Sequence, residues 1–378
     1  MTALALHLHD TGQPPIAVSA LMLAGLLPLV LLGPVAGAAV DRFETTVLLR
    51  IVLAAQAVLA AALAFASPLW TILVLVFALG TGTAITQSGV LALLPTLTAT
   101  DRLVRANGWL EAFRSVGVTL GPPLGGVLAG IWGARGALLV DAATFSVLCG
   151  ALWLVPASTA PARTAEPDAT RGRPAWRALV EGVGYIARDR QLRFAVVMLT
   201  AVTLFLAGVS VVEVYFARDT LRTGAIGYGA LVGAWGVGMM FGALGTARWV
   251  PATGLVFVLV GVGPLAGAAA IVAAVFPVLP IALTGWLVGG VTNGAYHVAM
   301  RSLLHRRTPA GLHGRVFAAQ FAAYNAAKVA SMVTAGPAVA LLQPRATILV
   351  MGIAAAAAGA VGTAWLVTRR VHATEERT

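Results

Sequence analysis

The sequence predicts an all-α integral membrane protein, and three observations carry that prediction. The 378 residues are 59% hydrophobic and only 10% charged, with a mean hydropathy of +0.90, whereas a soluble domain carries about 25% charged residues. Apolar runs of about 18 residues or more, long enough to cross a bilayer, recur along the whole chain. We predict about eleven full spans, near 15–40, 46–66, 70–94, 107–132, 134–156, 192–217, 226–248, 252–276, 278–300, 316–342 and 346–368.

The arginines predict the orientation of these spans. The net charge is +11, and the arginines lie mostly in short stretches between the apolar runs. When successive loops are assigned to alternate sides, one side is much richer in arginine, and the positive-inside rule places it in the cytoplasm. We therefore predict a multi-pass protein of a bacterial cytoplasmic membrane. Its predicted partner is the lipid bilayer, and we predict no binding to nucleic acid. The cytoplasmic side holds Arg42, Arg102, Arg105, the group from Arg163 to Arg193, Arg248, Arg301, Arg306, Arg307, Arg315, Arg369, Arg370 and Arg377, and the other side holds Arg135, Arg218, Arg222 and Arg345.

One polar stretch divides the chain. Residues 157–177 are rich in Pro, Ala, Thr and Arg, a composition typical of a linker. The following segment, 175–190, is amphipathic and is predicted to lie on the cytoplasmic membrane surface. The predicted organisation is an N-terminal bundle (1–156), a cytoplasmic linker (157–190), a C-terminal bundle (191–370) and a cytoplasmic tail (371–378).

The two halves resemble each other at an offset of about 210 residues. "TLGP" at 119–122 matches "TAGP" at 334–337, and "HDTG" at 9–12 matches "RDTL" at 218–221. This offset predicts a duplicated bundle with both copies in the same orientation. Shifting the span 192–217 back by the offset reaches upstream of Met1, so we expect the first helix to be partial here and the native chain to hold six plus six spans. The alternative is an eleven-span protein whose N-terminus lies outside.

Two glycine-containing motifs predict close helix packing. In "GAAVDRFETTVLLR", Gly37 permits close approach of two helices, while Asp41 and Arg42 can cap helix ends. In "GVTLGPPLGG", Gly117, Gly121 and Gly125 recur every fourth residue and lie along one helix face. Pro122, Pro123 and Gly126 complete the second motif, and its prolines bend the helix. The helix face formed by these glycines is either a gating interface or a packing contact without a gating role.

These motifs resemble those of the major facilitator superfamily. The Gly37–Arg42 loop is similar to the family's loop between its second and third helices, although Glu44, Thr45 and Thr46 stand where a basic cluster usually follows. The 117–126 stretch resembles the fifth-helix motif of its exporters. Residues 93–130 and 301–319 resemble the branch with enterobactin exporters and macrolide-efflux proteins. The resemblance implies two parallel six-helix bundles, alternating access and proton antiport.

The sequence excludes an ATP-binding phosphate loop as the energy source for transport. Such a loop has the motif G-x-x-x-x-G-K-[ST], in which Ser or Thr follows the lysine. The single lysine of the chain, Lys328, is followed by Val329, so the motif is absent. An ion gradient remains, and ionisable residues inside spans are then candidates for proton coupling. A structural hydrogen bond, or a salt bridge from Lys328 to Glu213 or Asp141, is the alternative. The candidates are Asp141, Glu213, Lys328 and the pair Glu111 and Arg114.

Polar residues inside spans are candidates for lining a central cavity. Asn293, Tyr296 and His297 share one helix face by their spacing. The histidines show no zinc-site spacing, and Cys149 is the single cysteine, so we predict no metal, cofactor or disulfide within the chain. Packing is the alternative role for each of the cavity candidates. They are Gln87, Asn293, Tyr296, His297, Tyr324 and Asn325, together with Gln56 and Gln320.

These expectations lead to one leading function and two alternatives. The leading hypothesis is a monomeric secondary transporter that exports a drug-like, macrolide-like or siderophore-like small molecule in exchange for protons. Uptake of a nutrient or metabolite, or a non-transporting sensor or scaffold, are the alternatives. An intramembrane enzyme is disfavoured, because the sequence contains neither G-x-S-x-G nor H-E-x-x-H.

Overall fold

The described part of the chain, residues 1–98, 102–155 and 175–375 of a computed structural model, is built from helices joined by short turns. None of these residues forms a β-strand, as the predicted all-α class requires. The chain divides into two units, Met1–Gly172 and Arg173–Thr378. Each unit is described separately below.

The described residues of the first unit, 1–98 and 102–155, form six α-helices. The predicted span 15–40 is two helices rather than one, because the chain leaves the helix at Leu32 and restarts at Gly33, with Pro34 in the new first turn. Glu44 begins the next helix by accepting hydrogen bonds from the backbone N–H groups of Thr46 and Val47, so the departure from the family's basic cluster serves as a helix cap. The helices are α1 (Thr2–Asp10), α2 (Pro15–Leu31), α3 (Gly33–Arg42), α4 (Thr45–Leu63), α5 (Leu69–Leu97) and α6 (Leu103–Trp153).

Helix α6 covers two predicted spans and is broken between them. Gly133 interrupts it with φ 69° and ψ 175°, a conformation that glycine adopts without strain. The break lies between the predicted spans 107–132 and 134–156. The part after the break carries Cys149, whose thiol contacts the Arg50 carbonyl of α4, while the Arg50 side chain donates to the carbonyls of Leu152 and Val155. These contacts fasten the end of α6 to α4.

Within residues 175–375, the described part of the second unit forms seven α-helices, of which the amphipathic one is the first. A short π-helical turn, Phe216–Thr220, follows α9. Helix α13 is broken at Gln343, with φ 66° and ψ 159°, directly before Pro344, so it also represents two predicted spans. The helices are α7 (Ala175–Arg188), α8 (Arg190–Leu206), α9 (Val209–Tyr215), α10 (Ala225–Trp249), α11 (Leu255–Val275), α12 (Leu279–Arg307) and α13 (His313–Glu375).

Each predicted span is largely helical in the described residues, although span 15–40 is divided between α2 and α3 and span 192–217 between α8, α9 and the π-helical turn. By length and hydropathy, seven described segments are able to cross a membrane. Helix α12 is not among these seven, yet its 29 residues extend about 43 Å at 1.5 Å per residue, more than the hydrocarbon core of a bilayer. The seven are Thr45–Leu63, Leu69–Leu94, Thr119–Trp153, Arg190–Thr220, Ala225–Trp249, Leu255–Val275 and His313–Gly362.

Helices α10 and α12 make an unusually close contact. A Cβ added at Gly238 or Gly242 would lie less than 3.0 Å from the backbone of α12, and one added at Gly290 or Gly294 would lie less than 3.0 Å from the backbone of α10. Small residues let two helix backbones approach in this way, which replaces the hydrophobic driving force that is absent in lipid. This α10–α12 glycine contact fixes α12 within the second unit.

Helix α7 is docked on the ends of α8, α12 and α13. Tyr185 donates a hydrogen bond to the Arg307 carbonyl at 2.6 Å, and Glu181 pairs with Arg315. Asp189 caps α8 through the N–H groups of Gln191 and Leu192, both at 2.9 Å. The amphipathic segment predicted from sequence is therefore helical, and its inner face packs on protein.

Candidate functional site

Five side chains of α12 and α13 form a polar cluster, here called the α12–α13 cluster. The Tyr296 and His297 rings are 5.0 Å apart by their centroids, and the His297 and Tyr324 rings are 5.7 Å apart. The Gln320 amide donates to the Tyr296 hydroxyl at 3.4 Å. Helical spacing places Gln320, Tyr324 and Lys328 on one face of α13. Cavity candidates from two separate spans are thereby brought together. The members are Tyr296, His297, Gln320, Tyr324 and Lys328.

Burial varies within the cluster. Tyr296 is buried, with 3% exposure, whereas Gln320, Tyr324 and Lys328 are half-buried and His297 is exposed. The positive charges of Arg301 and Lys328 both act on the His297 imidazole. The cluster therefore combines one buried aromatic ring, that of Tyr296, with more accessible side chains that can donate hydrogen bonds.

Lys328 has no acidic partner among the described side chains, since none makes an ion pair or hydrogen bond with its ammonium group. The alternative of a salt bridge from Lys328 to Glu213 is not realised among the described residues of the second unit, and a bridge to Asp141, which belongs to the first unit, stays a prediction. The neighbouring Asn325 has a different role, because its amide donates to the Phe321 carbonyl at 2.9 Å within the same helix and it is only 4% exposed.

Glu213 occupies a separate site in the second unit. Its carboxylate accepts a hydrogen bond from the Trp286 indole N–H at 2.9 Å and another from the Tyr228 hydroxyl. The Trp286 ring stacks on Phe216, with centroids 5.7 Å apart and planes 8° apart. Both donors are neutral, so the carboxyl group is held without a cation. Trp286 and Tyr228 were not singled out in the sequence, although a buried indole N–H ordinarily requires an acceptor.

Most of the remaining candidates are exposed or lie outside the described part of the structure. Asp141 is exposed, and Arg114 is exposed and has an interaction partner. Gln87 is exposed, while Asn293 is half-buried on α12. The side chains of Asp41 and Glu111 lie outside the described part of the structure. Their predicted roles, and that of the exposed Arg42, stay predictions.

The glycine motif of α6 is open in this structure. A Cβ added at Gly117 or Gly121 meets no described atom within 4 Å, and the same holds for Gly37 of α3. At Gly125 an added Cβ would lie 3.7 Å from Thr2, an ordinary van der Waals contact. Pro122 and Pro123 lie inside the helix, and Gly126 is buried. The close approach predicted along this face therefore has no partner among the described residues.

Gln56 belongs to packing rather than to an open cavity. It is 2% exposed, and its amide nitrogen lies 3.3 Å from both the Leu79 carbonyl and the Thr83 hydroxyl. Its amide oxygen accepts from Thr86 at 3.3 Å. The side chain thus joins α4 to α5 with its hydrogen-bonding capacity used.

Comparison with known proteins agrees with this architecture. The sequence model of the Major Facilitator Superfamily matches residues 1–327. The multidrug efflux pump Tap of Mycobacterium bovis is 26% identical over 375 residues, covering 93% of this chain and 84% of that protein. Macrolide efflux protein A of Streptococcus pyogenes is 24% identical over 147 residues, which cover 37% of this chain and only 36% of that protein's length.

Solved structures share the fold at low sequence identity. The nucleoside transporter NupG superposes with a TM-score of 0.74 at 10% identity, covering 96% of this chain and 94% of that one. A bacterial homologue of the human lysosomal transporter Spinster gives a TM-score of 0.71 at 14% identity, with 96% and 92% coverage. Together with the helical bundles and the polar residues inside them, these matches identify the chain as a member of the Major Facilitator Superfamily, a multi-pass membrane transporter of the bacterial cell membrane.

Proposed function

We propose that this protein exports a drug-like, macrolide-like or siderophore-like small molecule by alternating access, in exchange for protons. The direction of transport is supported by the relatives. Tap, which is named a multidrug efflux pump, aligns along 93% of this chain, and the shorter match is to a macrolide efflux protein. The resemblance of residues 117–126 to the exporters' fifth-helix motif points the same way.

The Glu213 site is the observation that supports proton coupling. A carboxyl group inside the membrane is costly and is ordinarily retained for a purpose. Because Trp286 and Tyr228 are neutral donors, Glu213 can take up or release a proton without breaking an ion pair. The same donors stabilise the ionised form, since a hydrogen bond to a charged acceptor is stronger than one to a neutral acceptor. Glu213 is therefore the proposed proton carrier, and Asp141 is the second candidate.

A transport assay in everted membrane vesicles tests both parts of the proposal. Vesicles from cells that express the full chain are energised to be acidic inside, and uptake of the macrolide erythromycin or of the amphiphilic acid fusidate into the lumen is followed. We expect uptake that collapses when a protonophore is added. Glu213→Gln should lower uphill uptake at least about tenfold and leave downhill exchange of labelled substrate intact, because the amide cannot carry the proton.

Glu181→Gln provides the matched control, since Glu181 lies on α7 and pairs with Arg315 rather than lining a span. It should transport like the wild type. Uphill transport by Glu213→Gln at the wild-type rate would remove Glu213 from the mechanism. Accumulation in right-side-out vesicles alone would favour the uptake alternative, and the absence of protonophore-sensitive movement of either compound in either orientation would contradict an exporter of this substrate range.

A further inference from the structure

Lys328 lies inside a predicted span, and its described neighbours in the second unit offer it no negative charge. It is the only lysine of the chain and lies in the middle of the first span of α13. A charged ammonium group inside a membrane protein ordinarily pairs with an acid or faces a watery cavity where a ligand can reach it. The structure permits each described acid of the same unit to be checked as a partner.

The described acidic side chains of the second unit all have other partners. Glu181 pairs with Arg315, and Asp189 caps α8 and also contacts Arg307 at 3.4 Å. Glu213 is held by Trp286 and Tyr228, and Asp219 has an interaction of its own. The positive charge of Lys328 is therefore left without a counter-ion within the described residues of its own unit.

The surroundings of Lys328 supply further donors. The Tyr324 hydroxyl and the exposed His297 lie in the same cluster, and the Gln320 amide donates to Tyr296. Arg301, one helical turn from His297 on α12, adds a second positive charge that acts on the imidazole. A lysine supported by hydroxyl and amide donors suits an oxyanion, because each donor strengthens when its acceptor is ionised.

The same neighbours favour an organic anion over a simple inorganic one. The rings of Tyr296, His297 and Tyr324 meet edge to face at 5.0 and 5.7 Å, and they present apolar surface directly beside the donors. Aromatic rings with a polar tip bind molecules that are apolar at one end and hydrated at the other.

We propose that the α12–α13 cluster binds the anionic group of an amphiphilic organic acid, with Lys328 contacting the carboxylate or sulfonate and the aromatic rings packing against its apolar body. This proposal rests on the proposed export function, because it names the chemical class of the exported molecule. An anionic phospholipid headgroup presents the same chemistry and is the second source of such an anion.

Equilibrium binding to the purified full chain in phosphatidylcholine nanodiscs tests the proposal. Three amphiphilic carboxylates of different shape, fusidate, cholate and 1-pyrenebutyrate, are compared with their neutral methyl esters, and binding to empty nanodiscs is subtracted. We expect at least one acid to bind at least about tenfold more tightly than its ester, which is the range of a hydrogen bond to a charged group. Lys328→Met should abolish this preference while still binding the ester, and Lys328→Arg should keep it.

The Arg345→Ala variant is the control, since Arg345 donates to the carbonyls of Ala274 and Val275 and lies away from the cluster. It should retain the preference for the acid. Replacing part of the phosphatidylcholine with phosphatidylglycerol separates the two sources of the anion. Weaker acid binding in the wild type but not in Lys328→Met identifies a lipid headgroup as a competitor for the site, and unchanged binding identifies the organic acid as the ligand.

Two results would overturn the proposal: equal binding of all three acids and their esters to the wild type, or an undiminished acid preference in Lys328→Met. Because binding requires no proton gradient, the result of the binding experiment can be separated from the result of the export experiment. Erythromycin export without acid binding would defeat the anion site alone, and acid binding without transport of any tested compound would defeat the export proposal alone.

Discussion

Two glycine series with the same spacing behave differently in the two units. Gly117 and Gly121 of α6 are four residues apart and meet no described atom within 4 Å of an added Cβ. Gly238 and Gly242 of α10 are also four residues apart, yet an added Cβ at either would lie less than 3.0 Å from the backbone of α12. The spacing creates a smooth helix face in both cases, but only the second face is covered within its own unit.

The reason is that close packing needs two complementary faces. Helix α12 carries Gly290 and Gly294 at the level of the α10 glycines, so neither helix presents a side chain at the contact. The α6 series has no such partner among the described residues of the first unit. An open glycine face is free to contact different neighbours in different states of a transporter, which is the gating alternative for this motif.

The largest expected effect is at the α10–α12 glycine contact. Gly290→Ala places a methyl group against the Trp235 carbonyl and should lower the free energy of unfolding by about 1–3 kcal/mol, the usual cost of overpacking. Thermal unfolding of the detergent-purified protein measures it. Gly289→Ala is a matched control on the same helix, because its added Cβ meets only the Trp235 ring at 3.9 Å. Equal unfolding temperatures for the two variants would show that the helices separate easily.

An intermediate effect is expected from Gln56→Leu. This change removes the three contacts of Gln56 with Leu79, Thr83 and Thr86, and both threonine hydroxyls retain a bond to their own helix. The free energy of unfolding should therefore fall by about 0.5–1.5 kcal/mol, with the substrate affinity unchanged. Gln87→Leu should leave stability unaltered, since Gln87 is exposed. A change in substrate affinity for Gln56→Leu would return Gln56 to the cavity.

The smallest effect on stability is expected at the open series. The methyl group added by Gly121→Ala has no described atom within 4 Å, and alanine favours a helix by up to about 1 kcal/mol over glycine. The variant should therefore be as stable as the wild type or slightly more stable. Transport measured on the same preparation separates the two roles of the motif. A reduced transport rate with intact stability supports gating, and loss of stability would reveal a packing partner that this structure does not show.

The sequence by itself determined the class of protein and the positions of its spans. The predicted apolar runs lie largely in described helices, seven segments of which are able to span a membrane, and the breaks near Gly133 and Gln343 lie where the boundaries between adjacent spans were predicted. These features are local, because the bilayer imposes a length and a polarity on each segment independently of the others. The family motifs are local for the same reason, and the predicted superfamily was confirmed along most of the chain.

The tertiary structure decided which polar and small residues meet. It assigned Glu213 to Trp286 and Tyr228 rather than to Lys328, and it removed Gln56 from the cavity candidates. It joined Tyr296 of α12 to Gln320 of α13, and His297 of α12 to Tyr324 of α13. It also showed that Gly290 and Gly294, and not Gly117 and Gly121, form a close helix contact. A side chain's partner depends on the rotation of two distant helices about their own axes, and hydropathy patterns with almost no amphipathic periodicity leave that rotation undetermined.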